Sequence, residues 1–391
     1  MSDASILIIG GGIAGLSTAW WLARRGANDV VLVEREPLLG TQSTAQNAAI
    51  LRTPMPDALT ESLAIESARF LRDPPRGFSS VPLVDPCGVV IASVRDDHES
   101  AAWERRLDAR ADASTNEPDV ERLTPARLRA IAPHFDAPVK RAWLLPREGR
   151  IDNAALVSAF ESGARRAGAR FETGTEVREL VVDRTGERAR VDGAVLADGR
   201  TLRARHTVIA AGGWAAILGR RAGSRVALRP TRRHLSVTAV DARVDARWPI
   251  VWTDGDPFYA RPESGGLMLC ACDEVDVDPD RLEPLVEERE RALAKAERYL
   301  PRLEGLRVAH FWAGIRTLTR DDRFVVGRDS DVDGLAWCAG LGGHGMTCSA
   351  AVGAIAADAI LDGESPHPAA HALDPARFSH RADAAAESRR R

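Results

Sequence analysis

Residues 5–34 read SILIIGGGIAGLSTAWWLARRGANDVVLVE, and the order of residue types in this stretch decides the fold. Ile6 to Ile9 is a short unbroken apolar run, the pattern of a strand buried on both faces of a parallel sheet. A helix is expected from about Ala14 to Arg25 with Gly26 at its end, and Val30 to Val33 is a second buried strand closed by Glu34. Gly10, Gly12 and Gly15 stand between the first strand and the helix with Gly-x-Gly-x-x-Gly spacing. The first glycine allows the tight turn, the second lets backbone approach a pyrophosphate, and the third permits close packing of helix on strand. Glu34 lies 19 residues past Gly15, where a carboxylate accepts hydrogen bonds from adenosine ribose hydroxyls and repels the additional phosphate of NADP. A dinucleotide-binding unit is therefore expected at the N-terminus, with Ile13 and Ala14, which open the helix, at the cofactor.

This unit belongs to a chain of 391 residues with 45% hydrophobic residues, 28% charged residues and a net charge of −3. Such a length suffices for two or three domains. The balance is that of a globular protein without the basic field that nucleic-acid binding needs. Five cysteines (Cys87, Cys270, Cys272, Cys338, Cys348) are odd in number and scattered. Neither a disulfide framework nor a metal site is expected from them, and a reducing cytoplasm fits. Cys270 and Cys272 sit in the alternating run GLMLCACDE, where a period of two puts both thiols on one strand face. Residues 5–23 are as apolar as a signal-peptide core, but four glycines interrupt them and the preceding residues carry Asp3 and no Lys or Arg. No other stretch approaches the ~18 apolar residues of a membrane span, so a soluble, unprocessed, cytoplasmic protein is expected.

Outward from the first unit, the elements interleave. A small-residue loop, GTQSTAQNAAILR, follows the second strand, and prolines 54, 56, 74, 75 and 82 punctuate the chain as it leaves the first domain. Residues 97–132 read as a charged helical stretch. Residues 153–167 read as a helix opening on an Asp152 or Asn153 cap, with short strands after it at 169–171, 176–182 and 189–195. The segments TVIAAGGWAAIL (207–218) and GLAWCAGLGGHGMTCSAAVGAIAADAIL (334–361) each repeat the order strand, glycine turn, helix. The expected architecture is α/β: a Rossmann-like domain of parallel sheet and flanking helices, built from residues 1–80, 151–225 and 320–365. A β-rich α+β domain for substrate is interleaved with it, from 81–150 and 226–319, and a poorly ordered tail covers 366–391.

VERE (33–36), the GTQSTAQNAAIL loop and TVIAAGGWA resemble the matching elements of the D-amino-acid oxidase family of flavoproteins, which includes glycine oxidase, sarcosine oxidase and D-amino-acid dehydrogenases. FLRDPPRGF, GRIDNAALVSAFESGARRAGA, RPTRRH, DPFYARPESGGLML, HFWAGIRTLTRDDRFVVGR and GLGGHGM resemble its D-arginine dehydrogenase and glycine oxidase-like members, and the likeness runs to about Leu361. The resemblance implies non-covalent FAD. It would lie along Glu34 and Arg35, the loop residues Gln42, Ser43 and Thr44, then Val177, Ala211 and Gly212. Gly342, Gly343, His344, Gly345 and Met346, ahead of the last helix, would face the flavin with backbone amides and the helix's positive end.

For substrate, the resemblance points to Arg232, Tyr259 and Arg316 as holders of an amino-acid carboxylate, which a guanidinium fork matches bidentately. Arg316 lies in the apolar run WAGIRTL, where an internal salt bridge is the alternative partner. Arg229 and Arg233 compete with Arg232, and His344 sits either on the flavin or in a solvent-facing loop. Implied is oxidation of an amino acid, D- or N-substituted, or of a related amine. Hydride passes to flavin N5, the imine hydrolyses, and oxygen, a quinone or a protein accepts the electrons. The pattern departs from D-arginine dehydrogenase at Ile50 and Met55, which replace a histidine and a tyrosine, and at Pro86, Cys87 and Gly88, where an acid is missing. A substrate less polar than arginine follows. Lys140 and Lys295 lie in surface-like charged segments, away from the oxygen-activating lysine of sarcosine oxidases, which leans towards a dehydrogenase. The rival readings are a tailoring enzyme for a larger amine and an FAD-binding subunit without catalysis.

Overall fold

The computed structural model describes residues 4–95, 101–113 and 119–379. Among them the chain forms two nine-stranded sheets and a three-stranded one. In the first sheet, Ala4–Ile9 pairs in parallel with Val30–Val33 on one side and Thr201–Ile209 on the other. Arg170–Glu172 and Leu335–Ala339 extend the parallel array outward. Ile6 to Ile9, Val30–Val33 and Leu335–Ala339 are apolar runs buried on both faces, whereas Thr201–Ile209 alternates until Thr207 and the edge strand Arg170–Glu172 has no buried residue. Register aligns Ile9 with Val33 and Ile209, and Ile209 with Trp337. The turns that follow, at Gly10, Glu34, Ala210 and Gly340, therefore open on one edge of the sheet, the carboxyl edge where ligands of such sheets bind.

Two helices cross over that sheet at close range. Ile13–Arg24 meets Gly345–Asp362 where Ser17 Oγ donates to Ser349 O at 2.6 Å and where a Cβ on Gly353 would fall 2.0 Å from Ser17 Oγ. Gly345 lies against Ile13, so both N-termini reach the same sheet edge. Gly345–Asp362 is long and apolar enough to cross a membrane, contrary to the sequence expectation that no second stretch approaches that length. It is instead the central core helix, with 72% of its residues buried. A cluster of Trp20, Phe70, Phe78 and Phe160 in edge-to-face contact ties Ala58–Arg72 and Asn153–Arg166 to the same layer. Asn153–Arg166 opens as expected on Asp152, whose carboxylate accepts from Ala155 N at 2.8 Å.

The second sheet is mostly antiparallel and carries Val89–Ser93, Arg141–Leu145, Ile250–Asp254, Phe258–Glu263, Gly266–Cys270 and the long pair Arg229–Thr238 with Val308–Leu318. Three short strands, Ile50–Leu51, Val84–Asp85 and Gly149–Ile151, join the layers. The charged stretch expected over 97–132 resolves into the helix Ala101–Asp112, a strand at Glu121–Arg122 and the helix Pro125–Ile131, with part of it outside the described residues. The tail begins later than expected. Residues 366–379 are packed, with Leu373 and Phe378 buried and Arg377 over the Phe378 ring, and 380–391 lie outside the described residues.

Lys295 corrects the surface reading of its segment. It is buried on the inner face of the helix Val286–Tyr299, where Nζ meets Asp256 Oδ1 at 2.8 Å and donates to Pro257 O at 2.6 Å. Burial alone would raise the Asp256 carboxyl, but hydrogen bonds from Lys295 and Tyr299 hold it down at about 2. A depressed carboxyl stabilises the fold above the ordinary carboxylate range and loses that contribution as pH falls towards the folded value. Lys295→Met is expected to cost about 2 kcal/mol at neutral pH. That is less than for a fully buried pair, because Asp256 keeps Arg298 and Tyr299. Urea unfolding at pH 7 and pH 3 checks it: the gap between the two proteins shrinks at the lower pH.

Candidate active site

One continuous cavity runs from the carboxyl edge of the first sheet to the face of the second. At its first end, Gly10 has φ +111, and a Cβ there would strike Ala210 O at 2.5 Å, so only glycine makes this turn. The N-caps Gly12 and His344 carry no side-chain cap bond, and neither helix has an acid in its first turn. Thr44 Oγ1 takes Ile13 N at 3.0 Å, and the rest of the two positive helix ends faces the cavity. Glu34 is fixed by its own neighbours, accepting from Gly11 N at 2.6 Å and Glu36 N at 2.9 Å. Beyond it, Arg35 stacks over the Trp214 ring at 3.8 Å, and Trp214 Nε1 donates to Asp280. The buried Thr41 hydroxyl has no hydrogen-bond partner among the described residues. Two adjacent helix ends, a glycine approach and an acid at the second strand fit the pyrophosphate and adenosine of a dinucleotide.

The loop after Val30–Val33 is clamped between the two sheets. Trp312 Nε1 donates to Gln46 O at 3.1 Å, Arg261 Nε to Ala48 O at 2.8 Å, and Asn153 Nδ2 to Thr44 O at 3.1 Å. A Cβ on Gly314 would lie 2.9 Å from Gln46 O, so the loop rests directly on the second sheet. This clamp brings Gln42, Ser43 and Thr44 to the cavity wall. Ile13, Ala14, Arg35, Val177, Ala211, Gly212 and residues 342–346 line it as well. Gly15 does not; it packs on Gly10, where its Cβ would meet Gly10 O at 2.0 Å.

At the second end stand Arg316, Tyr259 and Arg233, placed by sheet register. Thr231 pairs with Arg316 and Arg233 with Gly314, which makes the two arginines diagonal neighbours on one face. Arg232 is the correction here. The alternation of the strand turns it to the other face, where Nη2 donates to Arg281 O at 3.0 Å, and Arg233 lines the cavity in its place. Tyr259 pairs with Trp252 on one side and Cys270 on the other. Burial first, then Cys270 and Cys272, push its hydroxyl well above the ordinary range, so it remains a donor. Cys270 and Cys272 do not share a strand face, contrary to expectation, since the strand Gly266–Cys270 ends before Cys272, which has φ +57; both are free, and Cys272 N donates to Cys270 Sγ at 3.3 Å.

Arg316 has no ion pair or hydrogen bond among the described residues, and its guanidinium lies where a Cβ on Gly343 would sit. Burial and the neighbouring Arg233 both weigh against its charge. Burial, then Arg52, Arg316 and Arg233, hold the His344 imidazole well below its usual range, so it is neutral. Sequence reasoning missed Arg52 and Trp252: Arg52 stacks over the Trp252 ring at 4.3 Å inside the cavity. Ile50 lines the cavity too, whereas Met55 is buried in the first core and does not reach it. No lysine lines the cavity among the described residues.

Residues 5–359 match the family model described as FAD dependent oxidoreductase. The chain belongs to this family. Among its curated relatives is the glycine oxidase of Bacillus licheniformis, 25% identical with 91% of this chain and 92% of that protein covered. Solved structures with the same fold include L-proline dehydrogenase from P. horikoshii, with a TM-score of 0.83, 23% identity and 96% and 98% of the two chains covered. Glycine oxidase from Geobacillus kaustophilus superposes with a TM-score of 0.79 at 22% identity, covering 96% and 99%. The dinucleotide is FAD, and the glycine turn, Glu34 and the paired helix ends are the features of this FAD-dependent oxidoreductase that suit it.

Proposed function

We propose that this flavoenzyme oxidises the C–N bond of an amino acid or closely related amine. The observation that carries the reading is the unpartnered Arg316 guanidinium beside the protonated Tyr259 hydroxyl, at the end of the cavity opposite Glu34. A half-buried guanidinium inside a cavity without a carboxylate is costly, and a substrate carboxylate supplies the missing charge. When bound, FAD supplies the two-electron acceptor for the hydride lost from Cα. The chain's own residues orient the substrate: Arg316 forks its carboxylate, Tyr259 donates a further hydrogen bond, and the cavity walls exclude water. The amine must be neutral to lose hydride, and the neutral His344 with three nearby guanidiniums disfavours an ammonium in the site. Loss of the Cα hydride and one N–H proton leaves a C=N imine. Water then adds to carbon and expels the amine, leaving a carbonyl.

Non-covalent FAD is part of the proposal. Acid precipitation of the purified protein is expected to leave all flavin absorbance in the supernatant. The activity is tested by anaerobic bleaching of the bound flavin with D- and L-amino acids, N-alkyl amino acids and carboxylate-free amines. Reduction by carboxylate-bearing amines alone supports the reading. Reduction by none of them, with reduction restored by a partner protein, establishes instead an electron-relay subunit.

A further inference from the structure

Arg316 is not alone in lacking a counter-charge. Arg52, buried at the same end of the cavity, has no hydrogen bond to oxygen and no ion pair among the described residues; its one polar contact is Met55 Sδ at 3.8 Å. Its guanidinium lies over Trp252, and Trp252 is in turn stacked on Tyr259 with centroids 4.6 Å apart. Arg52 and Tyr259 thus both pack on Trp252, and all three line the same cavity as Arg316. Arg233 is better provided for, with Glu274 at 3.8 Å and the Cys270 and Cys272 thiols beside it. Glu148 and Asp254 are the carboxylates whose charge Arg52 feels, but neither forms an ion pair with it, and Glu148 accepts from both the backbone N and the hydroxyl of Thr53. Two guanidiniums therefore line one cavity without an ion pair among the described residues, and guanidinium does not discharge at any accessible pH.

We infer that the substrate carries two carboxylates, the one next to the amine held by Arg316 and Tyr259 and the second held by Arg52 over Trp252. This rests on the amino-acid oxidation proposed above and names its substrate class: a short amino acid with a second carboxylate, on its side chain or on its nitrogen. One carboxylate would leave a buried cation without a partner. A neutral side chain at Arg52 would add the cost of desolvating that cation further. The less polar substrate expected from Ile50 and Met55 is therefore replaced by an acidic one, since Met55 stays in the core and Arg52 enters the site beside Ile50.

Binding is tested first with ligands that cannot react. Malonate, succinate and glutarate, against acetate and butyrate, are titrated into the holoenzyme and read by perturbation of the flavin absorbance. The best dicarboxylate is expected to bind ~10- to 100-fold more tightly than its monocarboxylate counterpart, the yield of one charge-assisted contact. Arg52→Met is expected to bring that ratio to within about threefold of one, and Arg52→Lys to restore part of it. Anaerobic reduction by aspartate, glutamate and iminodiacetate, against asparagine, glutamine and glycine, is then expected to show the same preference. Equal binding of mono- and dicarboxylates by the unaltered protein overturns the inference, whatever the variants do. Dicarboxylate binding without flavin reduction by any amino acid leaves the second-carboxylate site standing and overturns the function. Flavin reduction without a dicarboxylate preference does the reverse.

Discussion

Arg316→Met is expected to lower kcat/KM for a carboxylate-bearing substrate by about 100- to 1000-fold, the loss that follows removal of one partner from a buried, hydrogen-bonded charge pair. Flavin content is expected to stay at the level of the unaltered protein, because no contact from Arg316 reaches the Gly10–Gly12 turn or Glu34. Methionine reaches about as far as the arginine Nε and so keeps the part of the packing against Gly343 that Cδ and Nε make. Steady-state kinetics beside the flavin-to-protein absorbance ratio measures both effects. A carboxylate-free amine, if oxidised at all, should lose less than tenfold in the variant. A change below about fivefold for every substrate would remove Arg316 from substrate binding and return it to a structural role. Arg232→Met is the companion measurement. Its guanidinium faces away from the cavity, so kcat/KM is expected to remain within about twofold.

The second large effect is expected at Gly15, which does not itself line the cavity. A Cβ there would lie 2.0 Å from Gly10 O and 3.3 Å from Ile8 Cγ2. The first of these is backbone in a turn already held at φ +111, so it cannot yield by a rotamer change. Gly15→Ala is expected to push the Ile13–Arg24 helix off its strand, destabilise the protein by about 3 kcal/mol, and reduce bound flavin below about a tenth. Gly26→Ala is the control. Gly26, unlike Gly15, has positive φ, and nothing lies within 4 Å of its added Cβ, so a cost near 1 kcal/mol with full flavin content is expected. Differential scanning fluorimetry with flavin fluorescence separates the two. Full flavin retention by Gly15→Ala would mean that the helix and strand have room the geometry denies.

These contrasts mark where sequence reading succeeds. The dinucleotide unit is written within residues 5–34, so its signal is local: an apolar run, glycines at fixed offsets, a helix and an acid, each made necessary by the backbone around it. The cap at Asp152 is equally local, because a carboxylate and the amides it accepts from lie within one turn. The same holds for the 342–346 turn before the last helix. The glycine turn and Glu34 were legible for this reason, the other expected cofactor residues came from the family resemblance, and all of those expected except Gly15 line the cavity.

The substrate end was not legible in that way. Whether Arg229, Arg232 or Arg233 enters the site depends on the face each occupies, which is settled by the register of Arg229–Thr238 against Val308–Leu318, some eighty residues away. Lys295 sits in a segment of alternating charges that reads as solvated, and only the packing of its helix against the Asp256 turn buries it. Arg52 lies two residues past the expected Ile50 position, and the clamping of its loop between two sheets turns it inward, while Met55 is drawn into the core. The sequence by itself determined the α/β class, the glycine turn and the acid that receive the dinucleotide, because those demands are made by neighbours in the chain. Only the tertiary structure decided which arginines meet in the cavity without counter-ions, because burial and charge pairing are properties of surfaces brought together from distant segments.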